Sequence, residues 1–549
     1  MSGNPYPSTG FEASRGAEPS PVQADRVTAM LEAGIAEHRA GRLGEAERIY
    51  RGILALEPGN SEPLHRLGMV ALQTGHGHAA IELMRQAIAN CAIANRPEDA
   101  AYWIDLGIAL QTQGELAEAV RSYERTLELK PESAAAWSNR GLALHSLGRL
   151  EEAAASLEWA IELNPEVAVT HANLGNVRQA QGRLEEAEAS QRRAIALQPA
   201  NAEAYCNLGS VLDLMGKFQD SVAAYERALA LRPDLAAARW NRALHRLREG
   251  DFLQGLPEYE ARRQLQKPRE FRQPQWRGEP LEGMRILLHA EQGLGDTVQF
   301  LRYVPMVQAA GGEVVLEVQP SLRRLAAELS GIADLIVDLI VPGNPLPEFA
   351  WHCPLMSLPL AFGTTLKSIP AQTPYLPVPD EARERAARLR WPEGGLRIGL
   401  AWAGSPGHLK DRYRSIPLEL LQPLLAVDGV RFFSLQVGPA SAELAALAES
   451  RITDLALEIG DMADTAALIE QLDLVIGVDT AVAHLAGALG RPVWVLLPVS
   501  SDWRWLRDRE DSPWYPAMRL FRQRELGEWR PAIDMARAAL EEWVALRDL

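Results

Sequence analysis

Between residues 26 and 250 the apolar positions recur as helical stripes inside a longer period. The stretches GELAEAVRSYERTLELKP, GRLEEAAASLEWAIELNP, GRLEEAEASQRRAIALQP and GKFQDSVAAYERALALRP begin at Gly114, Gly148, Gly182 and Gly216, each 34 residues after the last. Pro131, Pro165, Pro199 and Pro233 keep the same step. Gly41 and Gly75 extend the series backwards, with five extra residues in the repeat ending at Pro97, and Gly250 opens a degenerate last unit. Each unit reads as a helix pair that cannot bury its apolar stripe alone, so neighbours must stack. Glycine suits a close helix crossing or turn, and proline ends the second helix.

From about residue 283 short β-rich runs alternate with helices. RILLHA, EVVLEV and the ambiguous DLIVDLIV read as strands, with TVQFLRYVPMVQAA and SLRRLAAELS as helices. After a proline-rich passage come RIGLAWAG, RFFSLQVG, LDLVIGVD and PVWVLLP as strands. LELLQPLLAV, AELAALAES, DTAALIEQL and TAVAHLAGALG are the helices between and after them. Two successive units of this kind predict two Rossmann-like halves with parallel sheets, facing a cleft. The expected division is a disordered N-terminus (1–25), a repeat solenoid (26–268) and a linker (269–283). A first half (284–375), an inter-half linker (376–395), a second half (396–530) and a terminal helix (531–549) follow.

Charge and composition narrow the function classes. The net charge of −16, from 56 basic against 72 acidic residues, argues against a general nucleic-acid or anionic-membrane binder. No apolar run reaches the ~20 residues of a membrane helix, and no secretory leader is visible, so a cytoplasmic protein without membrane insertion is expected. Cys91, Cys206 and Cys353 are far apart and read as buried free thiols of a reducing compartment.

One polar column runs through the repeats. Asp105, Asn139, Asn173, Asn207 and Asn241 each lie two residues before the glycine, or its counterpart, of a first helix. A side-chain amide offers both a donor and an acceptor, enough to hold a peptide unit; equally, such amides can bond between neighbouring helices. The 34-residue period and the WIDLG and WSNRG segments resemble the tetratricopeptide repeat over roughly 40% of the chain. That resemblance implies a right-handed solenoid whose first helices line a concave face. The column is similar to the asparagine ladder of eukaryotic O-GlcNAc transferase, which holds extended substrate protein.

The second part carries the candidate chemistry. In EQGLGDTVQF (291–300), Gly293 and Gly295 allow a tight turn that does not crowd a substrate, and Asp296 is either a helix cap or a group projecting into the cleft. Glu291 is a second acid in the same loop. Asp479 and Thr480 open a helix whose free N–H groups suit a phosphate, and His484 lies one turn on; capping and an ordinary helix histidine are the alternatives. Lys410, Arg412 and Arg414 supply cations after a strand, or form a solvated loop. Ser405 and Gln436 are weaker candidates for phosphate and nucleoside. Asp502 and Trp503 are expected to line the cleft or the core.

The segments HAEQGLGDTVQFLRYVP, GLAWAGSP with DRYRSIPL, and LVIGVDTAVAHLAGALGRPVWVLLP resemble the family 9, heptosyltransferase-like glycosyltransferases. They are most similar to bacterial proteins that fuse such a domain to tetratricopeptide repeats, flagellin-modifying ones included. The resemblance implies an α-solenoid followed by an α/β GT-B fold, and transfer of a sugar from a nucleotide donor to a hydroxyl, with inversion. It implies Asp296 as general base, with Glu291 the runner-up. It implies Asp479, Thr480 and His484 at the donor, with Arg414 standing where the family has a phosphate-binding lysine; Ser405, Lys410 and Gln436 join them as donor candidates on their residue types and positions alone. The repeats point to Ser or Thr of a protein acceptor, flagellin or another surface protein. No metal-ligand cluster is visible, so no cofactor is expected beyond the nucleotide-sugar co-substrate. A lipid-linked or free glycan acceptor, and a non-catalytic scaffold, remain the alternatives.

Overall fold

The structure is a computed structural model that describes residues 21–94, 97–265, 269–330, 336–408, 410–446 and 451–547. Most of the expected N-terminal tail, part of the 269–283 junction's approach and the ends of DLIVDLIV, AELAALAES and the terminal helix lie outside the described residues. The chain forms two compact units, residues 1–208 and 209–549. The division falls inside the helix Ala202–Leu214, well before the end of the repeats that periodicity places at 268.

The first unit is a stack of helix pairs, from Pro21–Arg39 with Leu43–Leu56 to Ala168–Gln181 with Leu184–Leu197. Two glycines per repeat do different work. The turn glycines, such as Gly114 at φ +83°, adopt a left-handed backbone in open space. The first-helix glycines allow close crossing: a Cβ on Gly107 would lie 2.5 Å from Tyr123, and one on Gly141 2.7 Å from Leu157. The five-residue insertion is partly absorbed by helix Gly77–Ile93, which has 17 residues where Leu116–Leu129 has 14.

The second unit holds two parallel sheets. The first has order β3-β2-β1-β4, built from β1 (Arg285–His289), β2 (Glu313–Glu317), β3 (Asp338–Ile340) and β4 (Trp351–Pro354). The second has order β10-β9-β8-β5-β6-β7, built from β5 (Leu396–Ala401), β6 (Val430–Ser434), β7 (Ile452–Asp454), β8 (Leu474–Val478), β9 (Val493–Leu497) and β10 (Met518–Arg522). Strand order reverses between β1 and β4 and between β5 and β8, and ligands of open α/β sheets bind beyond the strand ends at such points.

Several expected elements differ. Of the described part of DLIVDLIV, residues 336–341, only Asp338–Ile340 is strand. TVQFLRYVPMVQAA is broken into helix Leu294–Phe300, a tight turn and helix Val304–Ala309, because Pro305 can begin a helix but not continue one. The segment 376–395 contains the helix Asp380–Ala387, tied to helix Met462–Glu470 by Arg383–Glu470 and Arg385–Asp464 ion pairs. In 269–283, Gln275 bridges to His352 of β4, and the Trp276 N–H reaches the His352 carbonyl at 2.8 Å. Both segments are therefore folded parts of their halves.

The end of the repeat region is built into the same core. Phe252 and Tyr259 pack edge-on to Trp503 at 5.7 and 5.8 Å. Cys91, Cys206 and Cys353 are buried. Among the described residues no helix is long and apolar enough to cross a membrane.

Candidate functional site

The loop after β1 and the loop after β8 meet. Gly293 caps helix Leu294–Phe300 with extended backbone (φ −70°, ψ 164°). Asp296 reaches back from the first turn to accept the Gly293 N–H at 2.9 Å. Neither Gly293 nor Gly295 has a left-handed backbone, so neither position needs glycine for its φ. Gly295 is needed for proximity: a Cβ there would lie 2.8 Å from His484 Cδ2 and 3.4 Å from the Ala481 Cα, on the first turn of helix Ala481–Ala488. Gly295→Ala is expected to destabilise by about 1–3 kcal/mol through overpacking, although alanine is the better helix former by about 1 kcal/mol. A shift of the unfolding midpoint in that direction would check it; a stabilised variant would show that the two loops part freely.

Asp296 has a second partner that sequence reasoning missed. Its Oδ1 accepts from Arg504 of the second half, whose other nitrogens donate to Gln299 Oε1 and, at 2.8 Å, to Asp502 Oδ1. Burial works against the Arg504 charge, but Asp502 and Asp296 hold the guanidinium protonated. Asp502 itself is held below the usual carboxylate range, since Arg504 outweighs the effect of burial. The signal available in sequence was an acid and a base spaced i,i+2 after the last long apolar strand, hidden between two tryptophans. Trp503 is buried core.

At the second sheet, Arg414 Nη1 donates to the Asp479 carbonyl at 3.0 Å, joining the loop after β5 to the end of β8 at the switch point. Its Nε contacts Asp411 Oδ1 at 3.2 Å. Burial, then the Asp502 charge, raises Asp479 above the usual carboxylate range. Thr480 begins helix Ala481–Ala488, and its hydroxyl has no hydrogen-bond partner among the described residues. His484 is buried, with Nδ1 2.9 Å from the Tyr515 hydroxyl, Nε2 3.7 Å from Asp479 Oδ1, and its ring stacked on Trp505. Burial, then Arg504, pushes its pKa down to about 3, so the imidazole is neutral at ordinary pH. It is packed between Trp505 and Tyr515.

Other candidates are placed elsewhere. Glu291 is held by Arg262 at 2.7 Å, and Arg262 also donates to Ser357 after β4. Ser405 is exposed. Gln436 spends both ends on backbone: Oε1 accepts from Trp402 and Ala403 N–H at 3.0 and 2.9 Å, and Nε2 donates to the Val437 carbonyl. That corrects its assignment to a nucleoside. Lys410 faces Asp213, Nζ to Oδ2 3.8 Å, so it is turned toward the repeat end rather than toward Asp479. Arg412 has its guanidinium 5.6 Å from the Tyr413 ring.

In the first unit, Asn139, Asn173 and Asn207 are half-buried and form no hydrogen bond among the described residues. The inter-helix bonding role is therefore absent at these three. Asp105 differs: it pairs with His65 Nε2 at 2.9 Å. Asn241 lies in the second unit and is engaged.

Known proteins match both parts. Tetratricopeptide repeat families match residues 104–168 and 214–264, and residues 61–132 and 166–234. Glycosyltransferase family 9 (heptosyltransferase) matches residues 435–518, which contain Asp479, Thr480, His484, Asp502 and Arg504. Protein FlbA of Caulobacter vibrioides is 30% identical over 296 residues, 49% of this chain and 48% of FlbA. Human tetratricopeptide repeat protein 7A is 30% identical over 90 residues, 16% of this chain and 10% of that protein. The chain thus spans half or less of these curated relatives. A solved tetratricopeptide repeat protein from Parabacteroides merdae is 18% identical, covering 43% of this chain and 92% of that one, with a TM-score of 0.38.

Proposed function

We infer that this chain, in which tetratricopeptide repeats precede a family 9 glycosyltransferase domain, transfers a sugar from a nucleotide donor to a Ser or Thr hydroxyl of a protein held by the repeats. The observation that carries the reading is the meeting of the Asp296 loop with the Asp479–Thr480 helix start, each beyond the strand ends of its own sheet. In this reading the two sheets are the halves of a GT-B enzyme. The acceptor oxygen attacks the anomeric carbon, Asp296 takes its proton, and the bond to the phosphate breaks with its electron pair, inverting the centre. The growing phosphate charge is met by Arg414 and the free N–H groups of helix Ala481–Ala488, so the step has no need of a metal. Buried free cysteines suit a reducing compartment, and we place the reaction in the cytoplasm, with flagellin or another surface protein as acceptor.

Arg414→Ala is expected to weaken the donor's nucleoside diphosphate roughly ten- to a hundredfold, the range of a hydrogen bond to a charged group. Calorimetry with UDP, GDP, ADP and CDP checks this; unchanged binding of whichever binds the wild type would remove Arg414 from the phosphate site.

The acceptor claim rests on the unengaged amides. Replacing Asn139, Asn173 and Asn207 together by Ala is expected to abolish modification of long protein acceptors, read by intact mass from cells carrying either form. Helicity should hold, because alanine is the better helix former. Full modification by the triple variant would show that these amides do not hold the acceptor.

A further inference from the structure

We propose that Arg504 is the positioning residue that aligns Asp296, on the first half, with the donor bound to the second; this rests on the functional reading above. Arg504 stands in the turn Trp503–Trp505 beyond β9, and Asp502 caps that turn by accepting the Arg504 N–H at 3.0 Å. Its guanidinium plane is wedged between rings, 4.9 Å from Trp503 and 5.3 Å from Phe300. All three nitrogens are engaged, on Asp502, Gln299 and Asp296. Gln299 and Asp296 are three residues apart, so they share a face of helix Leu294–Phe300. A rigid fork bonded to two points of one helix face fixes both its distance and its rotation, which a lysine point charge does not do.

Exposure decides how Arg504 acts. Its side chain is 5% exposed while that of Asp296 is 20% exposed. A phosphate cannot reach a guanidinium that is buried with every nitrogen engaged, whereas the carboxylate keeps an open edge. Gly293 holds one carboxylate oxygen and Arg504 the other, so the orientation of that open edge is set from both halves. Without Arg504 the base would be tied only to its own half, and its placement against the anomeric carbon would follow the relative motion of the halves.

The experiment uses the full chain in two arms. In hydrogen exchange, Arg504→Gln is expected to speed exchange in the segment 291–300 while 474–488 keeps its protection. Unchanged exchange in 291–300 would overturn the proposal, and so would a uniform rise across both sheets, the mark of a purely structural residue. In kinetics, nucleotide release from UDP-, GDP-, ADP- and CMP-linked sugars is followed for wild type, Arg504→Gln, Arg504→Lys, Asp296→Asn and the Arg504→Gln/Asp296→Asn double variant. The expected result is a fall in kcat of roughly a hundredfold for Arg504→Gln, an unchanged donor KM, and partial rescue by Arg504→Lys. In the Asp296→Asn background, Arg504→Gln should add nothing, since groups that act as a unit are not additive. Additive losses would end the positioning role while leaving Asp296 as base. Near-normal turnover by Asp296→Asn would end the base reading and this proposal with it.

Discussion

Asp296→Asn is expected to cut turnover by roughly 10²–10⁴-fold, about 3–5 kcal/mol of barrier, with donor affinity unchanged. Asparagine keeps the shape but cannot accept the proton. As a pure helix cap it would serve about as well as aspartate, so a cap alone predicts surviving activity. The structure adds a second consequence. Asp296 satisfies two donors with two oxygens, Gly293 N–H and Arg504. An amide has one acceptor oxygen, so one of these donors loses its partner, and a buried donor left unsatisfied costs about 1–3 kcal/mol. The variant should therefore unfold at a lower midpoint while remaining folded at assay temperature. Turnover, donor affinity and the unfolding midpoint measured on one preparation separate the effects. Lost stability with near-normal turnover would make Asp296 a bridge between the halves and nothing more.

The repeats were legible because every unit must make the same contacts, so Gly107 and Gly141 recur wherever one helix crosses another. β8 and β9 were legible because parallel strands covered on both faces read as unbroken apolar runs, and β5 and β6 because a single arginine near the start of each leaves an apolar run behind it. β4, WHCP, is four residues ending in proline, and β10, MRLFR, has two arginines among five residues, so neither shows such a run. At the site, the residue types were readable and their partners were not. Nothing local reveals that Asp296 meets Arg504, 208 positions later. Gln436 looked free to bind a ligand because a backbone N–H left unpaired beyond β5 has no trace in sequence. Gly295 looked like a turn glycine because its demand for space comes from His484, in another half.

The same blindness hid a buried charge cluster that sets the largest expected loss of stability. Asp213, 6% exposed, accepts from Arg248 Nη1 at 2.7 Å and from Ser500 Oγ at 2.5 Å, with Lys410 at 3.8 Å. Arg248 is 4% exposed, and its carbonyl accepts the Arg507 N–H. The cluster thus ties the end of the repeats to the loops after β5 and β9. Burial alone would raise the Asp213 carboxyl, but Arg248 and Lys410 outweigh it and hold it well below the usual range. Asp213→Ala leaves the Arg248 charge buried without its counter-ion, a change that costs about 3–5 kcal/mol, a large share of the 5–15 kcal/mol typical of a folded protein. Replacing both, Asp213→Leu with Arg248→Met, should recover most of the loss, because apolar side chains of similar volume need no counter-ion. The sign of the pH dependence follows from the depressed carboxyl. The contribution is complete above the ordinary carboxylate pKa of about 3.9 and is lost as pH falls toward the lowered value. Below that range the wild type and Asp213→Ala should converge. Urea unfolding followed by tryptophan fluorescence, at neutral and acidic pH, measures all three proteins. A single variant within about 1 kcal/mol of wild type at neutral pH would mean that water, not Asp213, satisfies Arg248.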